Sequence, residues 1–341
     1  MPGGAAADGF VRAAAAGIHR LALPTPFLVG RVNCYLVDDE PLTLIDTGPN
    51  SGKSLDELEQ ALGSHDRRIE DLELIVVTHQ HMDHIGLLEV LVRRSGAEVA
   101  ALDVLVPYLA RFTAAASADD EFAQAIMRRH GVPHDLATVL GAVGAAFRAF
   151  GSSGRVTMPL RDGGSLELRD RTLRVFHRPG HSPSDTIFWD EHRQILIGGD
   201  HLLAHISSNP LLSRPLGADG STDGTSGARP QALLGYIDSM RATRELPAEL
   251  VLGGHGEAIL DHVVLIDERF RMHARRARKV LRVLDAGPMS AYEIAVAMWG
   301  NIAVTQAYLT LSEVLGHLDL LVADGRVSER AEDDVVRFEA V

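Results

Sequence analysis

Two kinds of hydrophobic spacing alternate along the first hundred residues. Val32 to Val37 and Leu42 to Ile45 are short β-rich runs separated by the turn signal DDEP. Leu55, Leu58 and Leu62 recur at i, i+3 and i+7, which predicts a helix. The run LELIVVT at 72–78 is nearly continuous in apolar residues, the pattern of a strand covered on both faces. A helical segment, Leu87 to Arg93, and a strand, Glu98 to Leu102, follow.

Residues 103–150 break this alternation. Leu136, Val139, Leu140, Val143, Phe147 and Phe150 fall at helical spacing, Asp120 to Arg129 is a second helical candidate, and GSSG at 151–154 closes the block. The simplest reading is a helical insertion that acts as a lid over a site built by the flanking strands. Strand signals return at Leu166 to Leu168, Thr172 to Phe176, Thr186 to Trp189, Gln194 to Ile197 and Leu250 to Leu252. The Gly/Ser/Pro-rich stretch 207–230 reads as a mobile loop near that site. From Asp267 onward Phe270, Ala274, Ala277, Leu281 and Leu284 form a helical stripe that GP at 287–288 ends. Two helices (about 290–299 and 305–323), a DGR turn and short strands around Val327 and Val335 to Phe338 complete the chain. The expected organisation is a catalytic domain at 1–265 containing the lid, a connecting helix at 266–285, and a small winged-helix-like domain at 286–341.

Composition narrows the function classes. The 341 residues are 46% apolar and 23% charged, the balance of a globular chain with ample core. Thirty-three basic against 46 acidic residues give a net charge of −13, which repels phosphate backbones. The tail from 286 carries three basic and nine acidic residues, the wrong sign for a nucleic-acid reader. The arginines between Arg271 and Arg282 read as a solvated helix face paired with the acidic body. One cysteine, Cys34, allows no disulfide within the chain and suits a reducing, cytoplasmic setting. No apolar run is long enough to span a membrane, and the Ala-rich start has no basic region before it, so no signal peptide is expected. Sixteen histidines are the unusual feature, and they point to metal.

The chemistry concentrates in THQHMDH, residues 78–84. His79 and His81, two apart in a loop leaving a strand, can converge on one ion, and Asp83 and His84 can turn to a second. Three further ligand types sit just after apolar strands: His181 in RPGHSPSD, Asp200 in ILIGGDH and His255 in LVLGGHG. Seven such side chains exceed what one tetrahedral ion can take, so two ions per chain are expected. Zinc is the first choice, with iron or manganese not excluded.

In order and spacing, LIDTG (with Asp46), THQHMDHIG, PGHSPSD, GGDHL and GGHGE resemble the metallo-β-lactamase-fold hydrolase superfamily, across residues 42–257. The resemblance implies an α/β fold, an αββα sandwich with metals at one edge between two sheets. It implies His79, His81 and His181 on one metal, Asp83, His84 and His255 on the other, and Asp200 bridging. Asp83 would also orient the nucleophilic hydroxide, and Asp46 would stand behind the ligands and fix them. A bridging Asp resembles the glyoxalase II, lactonase and nuclease branches, and disfavours antibiotic hydrolysis. The tail resembles the winged-helix domain of one branch that includes an endoribonuclease. A packing or dimerisation role is expected of it here, because fold analogy alone lends no nucleic-acid function.

The expected activity is therefore hydrolysis of an ester, thioester or lactone of a small or acyl-chain substrate. A phosphodiesterase or endoribonuclease using the same metals is the rival reading, and a metal sensor the non-enzymatic one. Glutathione thioesters are less favoured, because the family's glutathione-binding basic residues find no clear match. His201, Ser207 and Asn209 (with Ser208 between them) are candidate substrate contacts, as is His205 beside the site. Tyr108, Phe112, Phe147 and Phe150 could line an apolar pocket, though core packing is the preferred reading. His65, His130, His134, His192, His262, His273 and His317 read as ordinary surface or packing residues.

Overall fold

The computed structural model describes residues 3–216 and 229–341. Its first sheet has six strands in chain order: β1 (Ile18–Leu23), β2 (Val32–Val37), β3 (Thr43–Ile45), β4 (Leu74–Val76), β5 (Glu98–Leu102) and β6 (Met158–Leu160). The pairing is antiparallel from β1 to β3 and parallel from β3 to β6. Parallel neighbours need crossovers, and helices Gly52–Gly63 and Leu88–Ser95 supply two of them. The second sheet runs β11-β10-β9-β8-β7, from β7 (Ser165–Glu167), β8 (Thr172–His177), β9 (Thr186–Asp190) and β10 (Ile195–Gly199) to β11 (Leu250–Gly253). One apolar cluster joins the two sheets face to face, with Tyr35, Ile45, Val76 and Ala100 from the first meeting Val175, Phe188, Ile197 and Leu252 from the second. The first sheet's other face packs on helices through Leu58, Leu62, Leu88 and Leu91, and the second's on helix Ala232–Arg244 through Tyr236 and Met240. This is the expected α/β arrangement of helices outside and two sheets within.

Strands β2, β4, β5, β9, β10 and β11 lie within two residues of the sequence reading. Helix Gly3–Ala15, β1, β6 and helix Ala232–Arg244 were not foreseen. The last two carry a proline and a run of polar residues that blur their periodicity. The long C-terminal helix begins at His262, four residues before the expected boundary. Its buried face also differs: Leu265, Ile266, His273, Val280 and Leu284 point inward, while Ala274 is exposed. A histidine inside the stripe hid that phase from a purely apolar count.

Residues 103–150 contain the long helices Phe112–Arg129 and His134–Phe147. The second helix does not sink the predicted stripe into a core. Ala137 and Gly141 are the buried positions, while Val139 and Val143 are exposed. Nor does the insertion stand alone. Ile126, Met127, Val132 and Ala137 share one apolar cluster with Leu311, Val314, Leu315 and Phe338 of the tail. The tail itself comprises helices Ala291–Trp299, Ile302–Thr305 and Ala307–Ala323 with a three-stranded sheet of β12 (Met289–Ser290), β14 (Val335–Ala340) and β13 (Val327–Glu332). Ser290 and Glu293 close a capping box that starts its first helix.

The common cluster makes a prediction. Leu315→Ala removes a fully buried side chain from the tail, so it should cost about 2–5 kcal/mol of unfolding free energy. It should also speed proteolytic nicking within the insertion, because the insertion's anchor is the same cluster. Chemical denaturation and limited proteolysis measure both; nicking confined to the tail would show the two units to be independent.

Candidate metal centre

The site forms where both sheets end. β4 runs into the loop that carries His79 and His81, and the short helix Met82–Ile85 then turns Asp83 and His84 to the same point. His181 follows β8, Asp200 follows β10 and His255 follows β11. The ligand-type atoms gather in three groups, each with all atoms within 4.8 Å: His79, His81 and His181; His79, His84 and Asp200; Asp83, His84 and His255. Among the expected ligands only His181 and His81 are more than slightly exposed.

Hydrogen bonds behind the rings determine which nitrogen faces inward. His84 donates from Nδ1 to Asp46 Oδ2 at 2.7 Å, His255 to the Arg31 carbonyl at 2.8 Å, and His181 to the Asn209 carbonyl at 3.1 Å. Thr78 Oγ1 gives its proton to Asp46, so it accepts from His79 Nδ1 at 3.0 Å. With Nδ1 protonated in all four rings, each Nε2 keeps a lone pair for an ion. These lone pairs point together. His79 Nε2 lies 3.0 Å and His181 Nε2 2.9 Å from His81 Nδ1. Ligands about 2.05 Å from a tetrahedral ion sit about 3.3 Å apart, so the spacing suits one centre. Asp200 stands between the groups, with Oδ1 3.5 Å from His84 Nε2 and Oδ2 3.5 Å and 3.4 Å from His181 and His255 Nε2. Asp83 Oδ2 is 3.3 Å from His255 Nε2. Two buried atoms here, His84 Nε2 and Asp200 Oδ1, have no hydrogen-bond partner among the described residues. An orphaned acceptor and lone pair facing one another in a buried pocket fit a divalent cation.

The electrostatics follow from the same packing. Burial, aided by the neighbouring rings, holds His79 well below the usual histidine range and His81 at about 3, so both stay neutral. Burial also opposes charge on His84 and His255, but Asp200 and Asp83, joined by Asp46 at His84, outweigh it and raise both, His255 to about 10, so a bound cation would take the place of the second proton on each.

Backbone geometry admits this crowding only with glycine. A Cβ on Gly254 would fall 2.2 Å from Asp200 Oδ1 and 2.8 Å from His84 Cε1. Gly199 has φ +46°, and a Cβ there would come within 2.9 Å of Thr78 Oγ1. Asp46 adopts the left-handed conformation at φ 59° without being glycine. Its carboxylate takes hydrogen bonds from the Thr78 amide, the Thr78 hydroxyl and His84, which offset that strain.

A cavity of about 600 Å³ opens from these residues and runs beneath the insertion. His81, Asp83, His181, Asp200 and His255 line one end, and Phe112, Phe122, Met127, Leu140 and Phe147 the rest. Tyr108, Phe112 and Phe147 thus form its wall, correcting the preference for core packing alone, although Tyr108 and Phe112 are also buried. Phe150 does not line it; it backs Phe27 and Phe147, with ring centroids 6.1 Å from each. His201 turns away, buried with Nε2 2.8 Å from Thr243 Oγ1, so it is a packing residue. His205 pairs with Glu257 on the surface. Ser207 and Asn209 are outside the lining as well; the Asn209 carbonyl instead holds His181. Of the loop at 207–230, Leu211 to Arg214 reach the cavity, and 217–228 lie outside the described residues. Sequence reading did not foresee the tail's part: Thr305 to Leu309 form another stretch of wall.

Removing a support should weaken the site without touching a ligand. Asp46→Ala should lower divalent-ion affinity 10- to 100-fold, and Gly254→Ala should lower it by displacing Asp200. Chelator competition on folded variants reads both, and unchanged affinity in Asp46→Ala would remove its supporting role.

Comparison with known proteins agrees with the geometry. Residues 28–255 match the family described as the metallo-beta-lactamase superfamily. A curated relative, "Probable metallo-hydrolase YqjP" of Bacillus subtilis (strain 168), is 33% identical over 321 residues, covering 94% of this chain and 97% of that protein. The "Atrochrysone carboxyl ACP thioesterase" of Aspergillus fumigatus is 25% identical over 195 residues, 54% of this chain and 41% of that protein. Two solved structures superpose over 95% of this chain at 26% identity. They are a metallo-beta-lactamase family protein of Thermus thermophilus (TM-score 0.78, 99% of that chain) and a beta-lactamase domain protein of Burkholderia ambifaria (TM-score 0.76, 91% of that chain). The chain belongs to the metallo-beta-lactamase superfamily and is a metallo-hydrolase whose His and Asp clusters can bind metal.

Proposed function

We propose that the chain is a dinuclear hydrolase of acyl thioesters, with esters and lactones of similar acyl groups as further substrates. The observation that carries this reading is the apolar cavity that leads from the ligand cluster under the insertion. A fungal relative named as an acyl-carrier thioesterase supports it. His79, His81 and His181 would hold one ion, Asp83, His84 and His255 the second, and Asp200 both. Bound divalent ions, zinc in the first instance, would supply a Lewis acid for the carbonyl and an activated water. The chain's own contribution is placement. Asp83, at the cavity's metal end, would orient that water as well as bind, while the apolar wall excludes bulk solvent and grips the acyl body.

The tail reads as winged-helix-like and serves as cavity wall and packing partner rather than as a nucleic-acid reader. No helix among the described residues is long and apolar enough to cross a membrane. A cytoplasmic setting is proposed on the single buried thiol of Cys34. The proposed partners are a small-molecule substrate and a second copy of the chain in a homodimer, with no nucleic acid or membrane surface.

Two measurements test the reading. Elemental analysis should find two ions per chain, and Asp200→Ala should lose at least one of them together with activity; one ion per chain with Asp200→Ala fully active would reject the dinuclear site. A series of acyl thioesters should show kcat/KM rising about fourfold per methylene until the cavity fills, the equivalent of about 0.8 kcal/mol each. Phe147→Ala should flatten that slope and Phe150→Ala leave it. Indifference to acyl length with turnover of bis-p-nitrophenyl phosphate would promote the phosphodiesterase instead.

A further inference from the structure

The cavity wall is apolar except at a few points, and one of them is built like a receptor. Asp119 lies on the inner face of helix Phe112–Arg129, and Arg214 and Tyr108 flank it from the loop and from the segment before that helix. Arg214 Nε donates to Asp119 Oδ1 at 2.9 Å, and the Tyr108 hydroxyl donates to Asp119 Oδ2 at 3.0 Å. The two donors are sequestered: 9% of the Arg214 side chain and 7% of Tyr108 is exposed. Asp119 is different: it lines the cavity, and 33% of its side chain is accessible.

Such a cluster is a poor device for stability. Taking an ion pair out of water costs as much as the pair returns, and well-packed apolar side chains would serve the fold as well or better. Ligand pockets, by contrast, are apolar walls with a few fixed polar groups that set orientation. Each carboxylate oxygen has a second lone pair after accepting one donor. The accessible group in the cavity is therefore an acceptor, aligned by two buried donors. Its charge is balanced by Arg214, which disfavours a carboxylate ligand and leaves hydrogen-bond acceptance as the available chemistry.

We infer that Asp119, held by Tyr108 and Arg214, binds a hydroxyl or phenol on the body of the substrate's acyl group, away from the bond that is cleaved. The cavity is thus selective for hydroxylated acyl chains or phenolic acyl groups over plain hydrocarbon ones. This rests on the acyl-hydrolase reading for the position of the carbonyl, at the metal end, and adds which acyl groups are preferred. Asp119 is a specificity-determining residue and takes no part in bond cleavage.

The experiment compares octanoic acid with its 5-, 6-, 7- and 8-hydroxy forms. Equilibrium binding to metal-replete protein is measured by calorimetry, and hydrolysis of the matching thioesters in parallel. At least one hydroxy acid should bind 10-fold or more tighter than octanoic acid. Asp119→Asn and Tyr108→Phe should each erase most of that ratio while leaving octanoic acid binding within about threefold. Acetyl thioester turnover serves as the reference, and the ratio of hydroxyoctanoyl to acetyl kcat/KM should fall at least 10-fold in both variants. Equal binding of all five acids, or variants that weaken them all alike, would overturn the inference and make the cluster a structural latch between insertion and loop. Should Asp119→Asn fail to fold, the Tyr108→Phe ratio decides. A hydroxyl preference in binding without thioester turnover would refute the acyl-thioester reading while upholding the site.

Discussion

Everything at the metal centre depends on one constraint: a histidine has two nitrogens, and only one can be offered to an ion. Asp46, Thr78 Oγ1, the Arg31 carbonyl and the Asn209 carbonyl each occupy an Nδ1. Those four acceptors come from a strand end, two loops and a β4 terminus, so the two sheets must meet in one register for all four Nε2 atoms to converge. Asp46 is the hub. It binds Thr78 twice and His84 once, and it tolerates a left-handed backbone to do so. The sandwich is in this sense the scaffold of a tautomer assignment.

The second organising fact is the cluster shared by insertion and tail. It ties the insertion to the tail, whose Thr305 to Leu309 line the cavity. The C-terminal helix Ala307–Ala323 also accepts a hydrogen bond at the Leu309 carbonyl from Asn209 Nδ2, while the Asn209 carbonyl holds His181. Wall and ligand are thus tied through one residue.

Legibility from sequence tracked how local each feature is. His79, His81, Asp83 and His84 lie within six residues, and beside that block His181, Asp200 and His255, each just after a strand signal, could be read as further ligands. Asp46 was recognisable only through its motif. His201 misled because it adjoins Asp200 in sequence; at a strand end, neighbouring side chains point to opposite sides, and it faces Thr243. Of the insertion's stripe, Val143 lines the chamber and the exposed Val139 does not, because helical spacing marks an apolar face without saying what covers it. Asp119, Arg214 and Thr305 to Leu309 gave no signal, since each acquires its role from a partner nearly a hundred or more residues away.

The chamber has a consequence for the order in which the protein is made. Its walls draw on Phe27, Gln80 to Asp83, residues 108–148, Leu211 to Arg214 and Thr305 to Leu309. All seven ligand-type residues precede position 256. During synthesis, domains form from the N-terminus onward, so a nascent chain emerging as far as the long helix already carries a complete set of metal ligands. It has no finished chamber until Leu315 and Phe338 dock beneath the insertion. Every ligand-type residue is therefore made before Thr305 to Leu309, the last stretch of the chamber wall.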